Sequence, residues 1–158
     1  MPDLKIAIAS DHAGYKLKSY IYGFLKDKEY SIEDVGTCSE AKVDYPAFAL
    51  KIVEKLITGN INSGILICGT GVGMSIAANR FPGVRAVNCS DTYTAKMSRL
   101  HNNANVLCLG ERLIGEGLAG EIVEIFITTN FEGGRHSMRV DLIDEMAIKY
   151  WKEFIGRK

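Results

Sequence analysis

The chain has 158 residues, 47% hydrophobic and 24% charged, which is the size and composition of one globular domain around a single core. Its 19 basic and 19 acidic residues cancel. That excludes a global field able to gather the protein on nucleic acid or an anionic membrane, so any phosphate it binds must be gripped locally. Met1-Pro2-Asp3-Leu4-Lys5 shows no basic region leading into an apolar stretch, and no later run approaches the roughly 20 apolar residues of a membrane span, so a cytoplasmic location is expected.

Taken in chain order, apolar or β-branched runs alternate with segments of helical period. Lys5–Ser10 predicts a strand and Tyr15–Lys28 an amphipathic helix. Ser31–Val35 predicts a second strand, and Pro46–Thr58 a second helix with its proline in the first turn. The strongly apolar Gly64-Ile65-Leu66-Ile67-Cys68 is the third strand, followed by a helix over Gly73–Arg80. Val84–Cys89 and Val106–Leu109 read as strands, Thr92–Leu100 and Leu118–Thr129 as helices. This alternation implies right-handed crossovers and a three-layer α/β/α, Rossmann-like domain with a parallel sheet of about five strands. The strand order is not legible.

After Phe131 come the turn Glu132-Gly133-Gly134-Arg135 and a long helical stretch from Ser137 to about Ile155. Val140, Ile143, Met146, Ala147, Tyr150, Trp151 and Phe154 recur there at three- and four-residue steps, making one apolar stripe. Such a helix covers its own core or docks on a second subunit. Residues 1–158 are expected to form one domain, with a core over about 4–130 and a terminal turn and helix over about 131–158.

Ligands of open α/β sheets sit outside the carboxyl ends of the strands, so the residues after each strand carry the most information. They are Ser10-Asp11-His12-Ala13-Gly14, Cys68-Gly69-Thr70-Gly71-Val72-Gly73 and Ser90-Asp91, with His101-Asn102-Asn103 just before the fifth strand. The glycine-rich loop leads into a helix, so its amides and the helix dipole can face an anion or a developing oxyanion. A tight strand-to-helix turn also uses glycine for steric reasons alone. The loop is neither a Walker A motif nor a dinucleotide fingerprint, which disfavours a nucleotide.

Cys38, Cys68, Cys89 and Cys108 form no Cys-x-x-Cys pair and have no histidine at zinc-finger spacing, so neither a structural metal nor a disulfide framework is indicated. Cys68 differs from the others in ending a strand at the glycine loop, where the positive end of a helix lowers a thiol's pKa from about 8.5 toward neutrality. A thiolate there is a base or a nucleophile. His12, His101 and His136 fall in loops or at helix edges. Arg135 and Arg139 lie one helical turn apart around His136, and two forked guanidinium groups on one face match a phosphate. A solvated basic turn at a helix start is the alternative, although positive charge there opposes the dipole, which itself points to an anion.

These motifs together resemble the ribose-5-phosphate isomerase B family, which includes allose- and galactose-6-phosphate isomerase relatives, over nearly the whole chain. The resemblance rests on Ser10 to Gly14, Val43-Asp44-Tyr45-Pro46, Ile67 to Asn79, Arg99 to Leu107, Gly110-Glu111-Arg112 and Glu132 to His136. It implies an aldose-ketose isomerase that needs no metal or cofactor. It implies Cys68 as the base moving a proton between C1 and C2, and Thr70 with the amides of Gly69, Gly71 and Gly73 as the oxyanion hole. His101, aided by Asp11, would open the furanose ring. His12, Arg112, Arg135 and Arg139 would hold phosphate, with Tyr45, Asn102 and His136 as further pocket residues.

Relatives that lack the cysteine carry a glutamate where this chain has Met74, which puts the chain in the cysteine branch. The resemblance also implies a homodimer or homotetramer whose subunits share each site. Three alternatives remain open at this level: a hexose-phosphate isomerase on the same site, a non-catalytic phosphosugar-binding domain, and a thiol hydrolase pairing Cys68 with His101.

Overall fold

The computed structural model describes residues 4–155, so the outermost ends of the predicted domain lie outside the described residues. The strands are β1 Lys5–Ser10, β2 Ser31–Asp34, β3 Ser63–Cys68, β4 Ala86–Asn88 and β5 Val106–Gly110. The helices are α1 Tyr15–Asp27, α2 Tyr45–Ile57, α3 Val72–Ala78, α4 Thr92–Asn102, α5 Glu116–Thr128 and α6 Arg135–Tyr150. A 3-10 turn, His12–Gly14, joins β1 to α1, and a π-helical turn, Trp151–Ile155, continues α6. Among the described residues no helix is long and apolar enough to cross a membrane.

All five strands are parallel, in the order β2-β1-β3-β5-β4. Alternate residues of the central strands feed two cores. Ile6, Ile8, Ile65, Ile67, Leu107 and Leu109 pack under α1, α4 and α5, against Leu17, Ile21, Ala95, Ile122 and Phe126. On the other face Ala7, Ala9, Leu66, Val106 and Cys108 pack under α2 and α3, against Ala49, Ile52, Met74 and Ala78. The second face is built of smaller residues because α2 lies close to the sheet: a Cβ on Gly64 would stand 2.3 Å from Ile52 Cγ2. With both faces covered, β3 is buried along its whole length, which explains its unbroken apolar run.

Every predicted element forms, with shifted boundaries. β4 starts later than the predicted Val84 because Arg85 N–H donates to the Asn105 side chain, at 2.8 Å, and not to a neighbouring strand. α6 begins at Arg135, two residues earlier than its periodicity suggests, because Gly134 at φ 55° supplies the turn into it. The chain leaves β1 toward α1 on one face and β3 toward α3 on the other. This divergence between adjacent strands opens a crevice at their carboxyl ends.

Candidate active site

At the carboxyl end of β3 the Cys68 side chain is buried, and its Sγ accepts the Gly71 N–H at 3.1 Å. Gly71 reaches this geometry at φ 78°, in the left-handed region, and a Cβ there would collide with Asn88 Oδ1 at 2.2 Å. The Thr70 hydroxyl, which is exposed, accepts from Val72 N–H at 3.4 Å. Ser75 N–H closes the first helical bond of α3, back to Gly71 O at 3.0 Å, so the amides ahead of it point out of the helix start. Met74 is fully buried in the core beneath α2 and α3.

The turn after β5 is sewn to this loop: Glu111 N–H donates to Cys68 O at 3.0 Å and Arg112 N–H to Gly69 O at 3.1 Å. The Arg112 guanidinium therefore lies over Gly69, 3.3 Å from where a Cβ would stand. Glu111 Oε2 accepts Leu17 N–H at 2.9 Å, which satisfies a first-turn amide of α1 and ties β5 to that helix.

On the β1 side, Asp11 N–H donates to Ile67 O at 3.3 Å, and the buried Asp11 carboxylate accepts Ala13 N–H at 3.0 Å. The following turn crosses β3 so closely that a Cβ on Gly14 would stand 2.6 Å from Ile67 O. His12 Nδ1 stands 3.2 Å from Val43 O and 3.3 Å from Val43 N, so it donates to the carbonyl in one tautomer and accepts from the amide in the other. Two residues on, the Tyr45 ring lies over Gly73, where a Cβ would be 2.9 Å from Cζ. The buried Lys18 ammonium holds the start of the same loop, donating to Thr37 O at 2.9 Å and to the Asp34 carboxylate. Cys68, Thr70, the loop glycines, Asp11, His12, Tyr45 and Arg112 are thus gathered at one end of the sheet.

His101, Asn102, Arg135, His136 and Arg139 are not among them. α4 runs back along the sheet and ends at Asn102, whose neighbour Asn103 caps it at φ 47° before the chain enters the amino end of β5. Arg99 fixes that corner, donating through Nε to Thr129 O at 3.2 Å and through Nη1 to Ala104 O. Glu132 N–H donates to Leu100 O at 3.0 Å and brings the start of α6 alongside. The His101 and His136 rings stack with centroids 4.4 Å apart and planes 11° apart, and Glu132 Oε2 lies 3.7 Å from Nε2 of each. Arg135 Nε donates to His136 Nε2 at 3.3 Å. Burial first, then the neighbouring His101 and Arg135, hold His136 below the usual imidazole range. Arg135 and Arg139 are exposed beside it.

The three ligand atoms of His101, Glu132 and His136 lie within 4.8 Å of one another. Their arrangement is ill suited to a cation. An ion in the plane of one ring would stand well out of the plane of its near-parallel neighbour, and the Arg135 guanidinium already occupies the His136 lone pair. Two imidazoles and two guanidinium groups suit an anion better.

Asp91, one of the residues following a strand, caps α4. Its carboxylate accepts Thr94 N–H and the Thr94 hydroxyl, each at 2.7 Å, which holds it below the ordinary carboxylate range. Sequence reasoning missed Asn88, whose Nδ2 donates to Thr70 O at 3.2 Å. It also missed Lys18, which no local signal separates from the solvated lysines of α1.

A family model described as Ribose/Galactose Isomerase matches residues 6–143. The chain is 47% identical over 139 residues to ribose-5-phosphate isomerase B of Escherichia coli K12, a match covering 88% of this chain and 93% of that protein. Among solved structures it resembles Clostridium thermocellum ribose-5-phosphate isomerase B, with a TM-score of 0.91 and 51% identity, over 93% of this chain and 99% of that one. The type B ribose 5-phosphate isomerase of Trypanosoma cruzi gives a TM-score of 0.88 and 39% identity, over 92% and 99%. Carried by a match across most of its length and by relatives sharing about half its residues, the chain is an isomerase belonging to the ribose/galactose isomerase family.

Proposed function

We propose that this chain interconverts ribose 5-phosphate and ribulose 5-phosphate through an enediolate, in the cytoplasm, as a single-domain subunit of at least a homodimer. The observation that carries the reading is the Cys68 sulfur held on the Gly71 amide at 3.1 Å, at the mouth of the β1–β3 crevice. An amide donor favours the anionic form of the atom it meets, so it supports a thiolate able to take a proton next to a carbonyl. Cys68 removes the C2 proton of the open-chain aldose phosphate and returns it to C1. The barrier is set by stabilisation of the enediolate oxygen, and Thr70 with the out-facing loop amides supplies donors for it. Losing one such donor elsewhere costs on the order of a hundredfold in rate, the expected size of a Thr70→Ala effect.

The phosphate does not react, yet gripping it fixes C1 and C2 beside the sulfur. His12 and Arg112 stand near the crevice, whereas Arg135 and Arg139 stand at the amino end of β5 beside His101. Val106 and Gly110 are four strand steps apart, about 13 Å, so one copy does not bring the two groups onto one small sugar. A second copy that presents its α4–α6 corner to the crevice completes the site, with His101 of one subunit opening the ring beside Asp11 of the other. The exposed apolar side chains of α6 support such a partner. Met74, buried where some relatives carry a glutamate, leaves Cys68 as the base.

A coupled assay with ribose 5-phosphate and allose 6-phosphate side by side tests the reading, with Cys68→Ala as control. Ribose 5-phosphate should have the higher kcat/KM, and Cys68→Ala should lower kcat by about 10²- to 10⁴-fold in a folded protein. Preference for the hexose phosphate would reassign the substrate, and near-normal turnover by Cys68→Ala would remove the base.

A further inference from the structure

The peptide between Thr70 and Gly71 is held at both of its polar ends. Its carbonyl accepts from Asn88 Nδ2 at 3.2 Å, and its N–H donates to Cys68 Sγ at 3.1 Å. In a planar trans peptide these groups point in opposite directions, so a rotation of the plane that breaks one bond also turns away the other. Asn88 is the last residue of β4 and belongs to neither the loop nor α3. Its Oδ1 also stands against Gly71, 2.2 Å from where a Cβ would be. The edge strand thereby fixes the loop's orientation from outside. Around Gly71 the loop itself offers little resistance to rotation, because glycine populates positive and negative φ with similar ease.

We propose that Asn88 is a positioning residue for the isomerase: by holding the Thr70 carbonyl it keeps the Gly71 amide on the Cys68 sulfur and so sustains that sulfur as a base. The proposal deepens, and rests on, the reading of Cys68 as the proton-transfer group. Asn88 acts through the peptide and has no part in gripping the phosphate. Its loss therefore affects the reactivity of the sulfur and the chemical step, and leaves substrate affinity alone.

The test uses the full-length assembled protein with Asn88→Leu, which keeps bulk against Gly71 but has no donor, and Asn88→Ala, which has neither. Alkylation of Cys68 by iodoacetamide is followed across pH by mass spectrometry of the Cys68 peptide, separately from the exposed Cys38. In both variants alkylation near pH 7 should slow about two- to tenfold, the factor one net hydrogen bond is worth, and its pH midpoint should move up. kcat for ribose 5-phosphate should fall by a similar factor while KM changes little. An unchanged alkylation profile in both variants overturns the proposal. Slowing in Asn88→Ala alone also overturns it, because the effect would then follow filled space and not the bond. Thiol reactivity is read without turnover, so these results stand apart from the Cys68→Ala assay, which tests the base itself.

Discussion

Cys68 and His101 lie at opposite ends of one strand: Cys68 pairs with Gly110 at the carboxyl end of β5, while His101 lies in the last turn of the helix that leads into Val106 at its amino end. If each site joins these ends from two copies, two inactive variants should rescue one another. Cys68→Ala and Arg139→Ala, each nearly inactive at low substrate, should regain about a quarter of wild-type activity when dissociated together and reassembled as dimers. Half the dimers are then mixed, and each mixed dimer has one intact site. Activity of the mixture equal to the mean of the separate variants would place each site within a single copy.

The terminal helix presents more apolar surface than its own chain covers. The expected single stripe divides in two: Ile143, Ala147 and Trp151 line a groove of about 590 Å³ with Phe81, Pro82 and Val84. Met146, Tyr150 and Phe154 of that stripe instead form an exposed row with Met138 and Leu142, which the stripe did not include, at every fourth residue, Met138 exposed by 74% and Phe154 by 63%. Leu142→Glu with Met146→Glu should yield monomers in sedimentation velocity and abolish isomerase activity, with the circular dichroism of the domain retained. An active monomer would contradict the shared site.

His136 ties stability to pH. Because its pKa is lowered in the fold, the unfolded chain takes up a proton below about pH 6.5 before the folded chain does. The stabilisation is complete above that pH and drains away as pH falls toward the lowered value. His136→Gln keeps an acceptor for Arg135 Nε but cannot titrate. Its Tm should fall less between pH 7.5 and 5.5 than the wild-type Tm does, by differential scanning fluorimetry. An equal or steeper fall would show that His136 titrates as it does in the unfolded chain.

Gly14 carries a purely steric demand. A Cβ would meet the Ile67 carbonyl oxygen at 2.6 Å, an atom fixed in the central strand and already accepting from Asp11 N–H. Gly14→Ala should destabilise the fold by about 1–3 kcal/mol in urea unfolding, the usual cost of overpacking. It should also raise KM, since the displaced turn carries His12. Gly23, with open space around it, is the control, and its alanine variant should be neutral or slightly stabilising. Equal stability of the two variants would refute the close approach.

Periodicity along the chain was enough to expose every strand and helix, because each pattern records which residues face a layer above or below the sheet. The apolar run Gly64–Cys68 announced a strand covered on both sides, and the glycines after Cys68 announced a tight strand-to-helix turn whose amides can face an anion. Local sequence also carried Arg135, His136 and Arg139 as neighbours on a helix start.

Tertiary structure alone decided the strand order, the separation of Cys68 from His101, and the division of the α6 stripe between an intrachain groove and an exposed face. It alone brought Asn88 to the Thr70 carbonyl and Lys18 to Thr37 and Asp34. The physical reason is common to all of these. A residue's hydrophobic period reports the face it turns toward a neighbour, whereas which neighbour stands there depends on how distant segments align, and no single segment encodes that alignment.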